Sequence, residues 1–441
     1  MANHLIVSNK INKFNKTINV SGDKSISIRW VLFASLANGI SKANNLLKSE
    51  DVIATLNAIK KLGIKYQFKN DQCIIYGKGI GGYKYKKNII INANNSGTLG
   101  RLILGFLVNT PYPIKLIGDK SLSKRDFKRI TDPLSKFGAK FKLRNNKNLP
   151  LKIYGSKKLK PINYFEQKGS AQCKSSVIFS AMRTNGVTTI KAKKSRNHTE
   201  LLCKYLKLPI TVKCKKNYDE IKVKKFKNIN KLNYNIPSDI SSSAFFMVLT
   251  ALSKDSRLTI KNVNINPSRI GIIHILRKMG VKINIQNLKI YKGEKIADIK
   301  IQSATTIKSI NCPVKLNSSA IDEFLVIFLM AAKANGVSYF KCLSELNQKE
   351  SPRLKWGSKI LNKMGIKNIA TTDSIKIFGN PNLKVVKKIE IKNYLKDHRV
   401  FMTSVIAGLT FGGYWKIYDK DSIKTSFPNF MKIINKLKQN D

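Results

Sequence analysis

A lysine, a serine and an arginine fall in the first turns of a helix that opens on a turn: Ser21-Gly22-Asp23-Lys24-Ser25-Ile26-Ser27-Ile28-Arg29. A helix start is already an anion site, because its first N–H groups lack partners and carry the positive end of the dipole. Lys24 and Arg29 add two full charges there, and Ser25 a hydroxyl. The spacing predicts a small, multiply anionic ligand at a loop-to-helix junction. Taken alone, the segment reads as readily as a capped helix with a solvated face. It is not a P-loop, since Asp23 stands where that motif has its second glycine and no earlier glycine is in place.

Similar starts recur. Asn94-Asn95-Ser96-Gly97-Thr98-Leu99-Gly100-Arg101 leads into a helix with residues small enough for a ligand to reach backbone N–H groups. Residues 118–125 end in Lys124-Arg125. Residues 169–176 (Gly-Ser-Ala-Gln-Cys-Lys-Ser-Ser), 237–243 and 317–323 are further small, polar starts, the last adding Asp322 and Glu323. Lys349-Glu350-Ser351-Pro352-Arg353 and Asp397-His398-Arg399 complete the set. Each is weak singly, and a tight loop feeding a helix explains any one of them. Gathered in one cleft they would select anions strongly, and acids within that field would be poised for proton transfer.

The elements that carry these starts repeat. Ala58-Ile59-Lys60-Lys61-Leu62-Gly63-Ile64-Lys65-Tyr66 ends a helical pattern and begins a strand, and like phrases occur at 134–141, 205–212, 276–283 and 361–368. Their pivots are Gly63, Gly138, Pro209, Gly280 and Gly365. Each phrase predicts an amphipathic helix, a glycine C-cap (proline in one copy) and a strand, usually followed by a hairpin. Such a period marks a repeated supersecondary unit, here βαβαββ, with room for six. The sixth is the final helix, 430–437, which lacks its own hairpin. Strands at Leu5–Val7 and Thr17–Val20 supply what is missing, so one domain contains both termini. The wholly apolar stretches 244–249 and 324–332 are expected inside the sheets.

The chain has 82 Lys and Arg against 25 Asp and Glu, a formal net charge of +57. Such a balance suggests nucleic acid. Yet 70 of the cations are lysine, they are spread evenly, and there is no basic arm, RGG or RS tract, or basic patch interleaved with aromatics. The excess reads as compositional drift. The twelve arginines then become informative, because Arg29, Arg101, Arg125, Arg353 and Arg399 lie in the segments above. A retained arginine points to a planar, bidentate partner such as carboxylate or phosphate. Six cysteines without CxxC or metal spacing read as buried free thiols, and four dispersed histidines indicate no metal. The first residues, Met1-Ala2-Asn3-His4-Leu5, show no signal-peptide pattern, and the longest apolar run, 324–332, is far too short to span a membrane. A cytoplasmic location is expected.

In order and in kind, these segments resemble the 5-enolpyruvylshikimate-3-phosphate synthase family over essentially the whole chain. They include Gly22 to Arg29, Asn95 to Thr98, 118–125, Gly169 to Gln172, Ser195-Arg196-Asn197-His198-Thr199-Glu200, Ile321-Asp322-Glu323, Lys349-Glu350 with Arg353, Asp397-His398-Arg399 and Ser426-Phe427-Pro428. The resemblance implies an α/β (α+β) fold of two clamp-like domains, each of three βαβαββ units. The boundaries drawn are 1–22 plus 238–441 for the domain with both termini and 23–237 for the inserted one, with the active site in the cleft. It implies transfer of the enolpyruvyl group of phosphoenolpyruvate to the 5-hydroxyl of shikimate 3-phosphate, with release of phosphate and no metal or organic cofactor.

Carried over by position, Lys24, Ser25, Arg29, Ser170, Ala171 (through its backbone), Gln172, Ser195, Asp322 and Lys349 would bind shikimate 3-phosphate. Lys24, Gly97, Arg125, Gln172, Arg353 and Arg399 would bind phosphoenolpyruvate. Asp322 would take the hydroxyl proton, and Glu350 and Lys24 are the candidates for protonating the methylene carbon. The implied partners are those two anions alone, with a monomeric protein and neither membrane nor specific nucleic acid. Departures from the family pattern are Ile28 where His is usual, Pro352 for Asp, Asp126 for Pro, Glu345 for a substrate-binding Asn and Thr425 for a lysine. Pro352 could displace Arg353. The alternatives are the related transferase acting on UDP-N-acetylglucosamine, a non-catalytic nucleic-acid-binding relative and a degenerate, inactive member. The first is disfavoured by Ser25 after Lys24 and by the absence of cysteine from 118–125.

Overall fold

A computed structural model of the chain describes residues 3–439, so Met1 and Ala2 of the amino-terminal reading lie outside the described residues. Residues 90–154 show how one repeat is built. Strand Ile90–Asn92, a helix, strand Ile114–Ile117, a second helix and the hairpin Lys140–Arg144/Asn148–Tyr154 follow in order. In its sheet the first and second strands pair in parallel, and the fourth lies antiparallel between the second and third. Residues 163–224 repeat this order. Every repeat thus closes a small sheet around two helices.

The chain forms two compact units. The inserted unit comprises Gly22–Ile236 and Tyr291–Glu294, and the flanking unit Met1–Ser21, Pro237–Ile290 and Lys295–Asp441. These boundaries differ from 1–22, 23–237 and 238–441. Ile236 is held in the inserted unit by hydrogen bonds to Asn44 (3.0 Å) and Asn45 (2.9 Å). In the flanking unit the Asp239 N–H donates to the Ser21 carbonyl (3.2 Å). The larger departure is the four-residue hairpin tip 291–294, which sides with the inserted unit.

In the inserted unit, α1 (Lys24–Ser35), α3 (Gly97–Phe106) and α5 (Ala171–Ala181) are buried over nearly their whole circumference. α2 (Glu50–Lys61), α4 (Lys128–Ser135) and α6 (His198–Tyr205) bury one face. The first repeat is closed by a late strand, Asn233–Asn235, which pairs in parallel with Asn38–Asn44. In the flanking unit, every residue of α7 (Ile240–Leu252), α10 (Phe324–Ala332) and α12 (His398–Phe411) is buried, and the three pack on one another. The apolar runs therefore form the centre of the core, as their lack of a polar face requires. α8 (Gly271–Lys278), the single turn α9 (Asn317–Ala320), α11 (Arg353–Met364) and α13 (Phe430–Lys438) complete the unit.

The two amino-terminal strands serve different sheets. Asn15–Asn19 pairs in parallel with Arg257–Asn264, and His4–Val7 antiparallel with Tyr414–Tyr418. The leading strand of the fifth repeat shrinks to isolated bridges, Lys308 with Asn335 and Asn311 with Tyr339.

Four pivots have the left-handed backbone that a glycine C-cap needs: Gly63 (φ 87°), Gly138 (112°), Gly280 (93°) and Gly365 (85°). In the remaining copy the pivot is Lys207 (φ 54°) and not Pro209, whose ring forbids a positive φ. The cysteines also differ in part from expectation. All six are free thiols, but Cys214 and Cys342 are exposed at the ends of an edge strand and a loop. Among the described residues, no helix is long and apolar enough to cross a membrane.

Candidate active site

The innermost helix of each repeat opens on an oxygen-bearing residue: Asp23, Ser96, Ser170, Asp239, Glu323 and Asp397. Five accept an N–H of the first turn in their side chains, which fixes where each helix starts and so where the residues behind the cap point. The starts form two networks, one in each unit.

In the inserted unit, Lys24 donates to Asp51 from α2 (2.9 Å). Arg29, only 3% exposed, spends its guanidinium on Thr199 Oγ1 (2.8 Å), Ser175 Oγ (3.2 Å) and the Ser25 carbonyl (3.1 Å). Burial lowers its pKa to about 10, with Glu200 and Asp23 opposing, so it stays cationic at neutral pH. Gln172 receives Arg101 Nη1 on its oxygen (2.6 Å) and donates to Thr98 (3.1 Å), which orients its amide. Arg101 lies over the Phe127 ring (5.7 Å). Burial, then the charges of Arg125 and Arg129, bring its pKa down to about 10. Guanidinium groups close enough to depress one another are arranged for an anion. Gly97 makes room for one of them, since a Cβ there would stand 2.9 Å from Arg125 Nη1. Ser170 caps α5, whose first residue is Ala171. The buried Ser195 hydroxyl has no hydrogen-bond partner among the described residues.

In the flanking unit, Asp322 occupies the turn between α9 and α10. Lys349 Nζ (3.2 Å) and Arg353 Nη1 (3.4 Å) face its Oδ1, and Arg399 Nη1 donates to its carbonyl. Arg353 is 2% exposed and also holds Glu350, Asp397 Oδ2 through Nε (2.9 Å) and Asp397 Oδ1 through Nη2 (3.2 Å). Burial alone would lower the Arg353 pKa, but Asp397 and Glu350 outweigh it and hold the group above its ordinary value. Behind Arg399, Arg269 donates to Asp239 (3.1 Å) and Ser241 (2.7 Å), and Ser241 donates to Glu323.

The sequence-predicted residues Asp322, Lys349, Glu350, Arg353 and Arg399 thus meet in a single network. Lys24, Ser25, Arg29, Gly97, Arg125, Ser170, Ala171, Gln172 and Ser195 lie in the other unit at or beside its helix starts. The residues that hold these were given no role by the sequence: Asp51, which no motif singled out, and Thr199, Ser175, Lys174 with Glu200 (2.6 Å, both buried) and Asp397, which lie within the motifs. Asp397 carried a visible signal as a helix cap.

Pro352 leaves Arg353 in place as the first residue of α11, while Asn347 Oδ1 accepts the Leu354 N–H (3.2 Å) as a substitute cap. Asp126 caps Lys128 N (2.7 Å), Glu345 is exposed, and Thr425 lies 3.2 Å from His398 Nδ1. Among the described residues, no group of three or more His, Cys, Asp or Glu is placed to hold a metal.

The family model for EPSP synthase (3-phosphoshikimate 1-carboxyvinyltransferase) matches residues 8–434. The chain is 40% identical over 430 residues to the 3-phosphoshikimate 1-carboxyvinyltransferase of Ruthia magnifica subsp. Calyptogena magnifica, covering 97% of each chain. It is 37% identical to that of Caldicellulosiruptor bescii, covering 96% of each. The solved EPSP synthase of Acinetobacter baumannii superposes with a TM-score of 0.86 at 34% identity over 98% of both chains. The enolpyruvyl transferase NikO of Streptomyces tendae, 12% identical with a TM-score of 0.76 over 99% of this chain and 98% of its own, shares the fold. The chain belongs to the EPSP synthase (3-phosphoshikimate 1-carboxyvinyltransferase) family.

Proposed function

We propose that the two networks are the two halves of the machinery with which this chain transfers the enolpyruvyl group of phosphoenolpyruvate to the 5-hydroxyl of shikimate 3-phosphate, both acting on one pair of substrates. The observation that carries the assignment is the convergence of Lys349, Arg353 and Arg399 on Asp322. A carboxylate faced by two cations, with a third on its backbone carbonyl, is kept ionised and available as a base, and the same cations hold the anionic partner it must act beside. Asp322 takes the 5-hydroxyl proton as the oxygen attacks C2 of phosphoenolpyruvate. The methylene carbon takes a proton from Glu350 or Lys24, giving a tetrahedral intermediate. Loss of a methyl proton with cleavage of the C–O bond to phosphate then yields the enol ether. Arg125, Arg353 and Arg399, with Lys24, Gly97 and Gln172, hold the phosphoenolpyruvate carboxylate and phosphate. Lys24, Ser25, Arg29, Ser170, Ala171, Gln172, Ser195, Asp322 and Lys349 hold shikimate 3-phosphate. Ser195, with its buried and unpartnered hydroxyl, is suited to a phosphate oxygen. The same reading takes the protein as a cytoplasmic monomer without a nucleic-acid or membrane partner.

Purified protein should release inorganic phosphate only when both substrates are present. Absence of release, together with strongly salt-dependent RNA binding, would overturn the proposal.

Gly97→Ala tests the phosphoenolpyruvate half. Gly97 has no left-handed backbone, and the atom its Cβ would meet is the far end of Arg125. The fold should tolerate the methyl while the guanidinium moves. The expected result is a rise of about tenfold in KM for phosphoenolpyruvate, with the melting temperature nearly unchanged. An unchanged KM would remove Arg125 from the site.

A further inference from the structure

The tip of the hairpin formed by strands Ile283–Tyr291 and Glu294–Gln302 has no part in the reaction as written, yet it is built into the inserted unit. Lys292 (φ 50°) and Gly293 (φ 86°) give it two successive left-handed residues, the tight turn that suits a twisted hairpin. Three of its contacts fall on α6. Glu294 Oε1 lies 2.6 Å from His198 Nδ1, with both residues buried. Gly293 sits so close that a Cβ would be 2.9 Å from the Leu201 carbonyl. The Lys292 ammonium lies over the Tyr205 ring (5.7 Å) and donates to the Asn233 carbonyl. Residues 198, 201 and 205 share one face of a helix.

The neighbouring positions of α6 face the site. Thr199 holds Arg29 and pairs with Ser175 (2.7 Å), and Glu200 pairs with Lys174. Ser195 lies three residues upstream of His198. α6 is only two turns long, so it has little stiffness of its own, and its pose depends on what grips each side.

We propose that Glu294 is a positioning residue for shikimate 3-phosphate: by gripping His198 it fixes the start of α6, and through Thr199 the pose of Arg29. The proposal rests on the reading above that Arg29 and Ser195 bind that substrate.

The test is steady-state kinetics for both substrates, with thermal melts, on Glu294→Gln, Glu294→Asp, Lys292→Ala and Arg29→Ala. Glu294→Gln should raise KM for shikimate 3-phosphate about tenfold, with KM for phosphoenolpyruvate and kcat nearly unchanged. Glu294→Asp should recover part of the loss, and Lys292→Ala, at a half-buried position of the tip, should shift the same KM in the same direction by a smaller factor. If Glu294→Gln does not fold, the other two variants carry the test. A lower melting temperature with both KM values unchanged, or an equal loss for both substrates, would overturn the positioning role. Arg29→Ala separates the two levels. If it raises KM for shikimate 3-phosphate and the Glu294 variants do not, only this inference fails; if it does not, the assignment of Arg29 fails with it.

Discussion

Replacing Asp322 by alanine is expected to lower kcat by a factor of about 10²–10⁴ while shikimate 3-phosphate binding stays measurable. Asp322 bonds in two distinct ways. Its carboxylate faces Lys349 and Arg353, while its backbone carbonyl accepts Arg399. Truncation removes the first and spares the second, so the arginine assigned to phosphoenolpyruvate stays anchored. Arg353 still has Asp397 and Glu350, so no buried cation is left uncompensated. The turn itself is held by Ala320 and Phe324, both fully buried, and the backbone has no reason to move. The loss should therefore fall on kcat and not on stability. Asp322→Asn should fall as far as alanine, because it keeps shape and loses proton affinity. A kcat within tenfold of the parent for either variant, or an asparagine variant that works while alanine does not, would refute the assignment of Asp322 as the base.

The repeat was legible because a helix that must end and reverse into a strand needs one left-handed residue, and glycine supplies it without strain. Where the chain uses Lys207 instead, no glycine marks the reversal, and the nearby Pro209 draws the pivot two residues too far along. The helix starts were legible for a similar reason. Asp23, Ser96, Ser170 and Asp397 act on N–H groups two or three residues away, so their effect is written locally. What stayed hidden is what these starts hold on to. Thr199 is 170 residues from Arg29, and His198 is 96 residues from Glu294, and no periodicity connects such pairs. The four residues 291–294 illustrate the same limit at the scale of domains. In sequence they are an ordinary Lys-Gly turn, and only the burial of Glu294 beside His198 shows to which unit they belong.

Arg353→Ala is expected to destabilise the fold by about 3–5 kcal/mol, as well as raising KM for phosphoenolpyruvate. The cause is Asp397, which is wholly buried and caps α12 through the Arg399 N–H (2.9 Å). Burial pushes its carboxyl upward, and Arg353 more than offsets that, leaving the group below the ordinary carboxylate value of 3.8. In the parent, the carboxylate therefore contributes stability that is fully present above the unfolded value and is lost as pH falls through the lower folded one. Without Arg353, burial and the neighbouring Glu350 both favour the protonated form, against His398 and the hydrogen bonds from Ser351 Oγ (2.8 Å) and the Arg399 N–H. The folded value should then lie above the unfolded one, and the sign reverses: the variant loses stability as pH rises past about 4. The gap in melting temperature between parent and variant should be smallest near pH 4 and widen toward neutrality. Arg353→Lys should recover little, because one ammonium cannot replace a fork that bonds Asp397 through Nε and Nη2 while reaching Asp322 and Glu350. A gap that does not change between pH 4 and 8, or full rescue by lysine, would show that Arg353 stabilises the unit by packing and not as the counter-charge of a buried carboxylate.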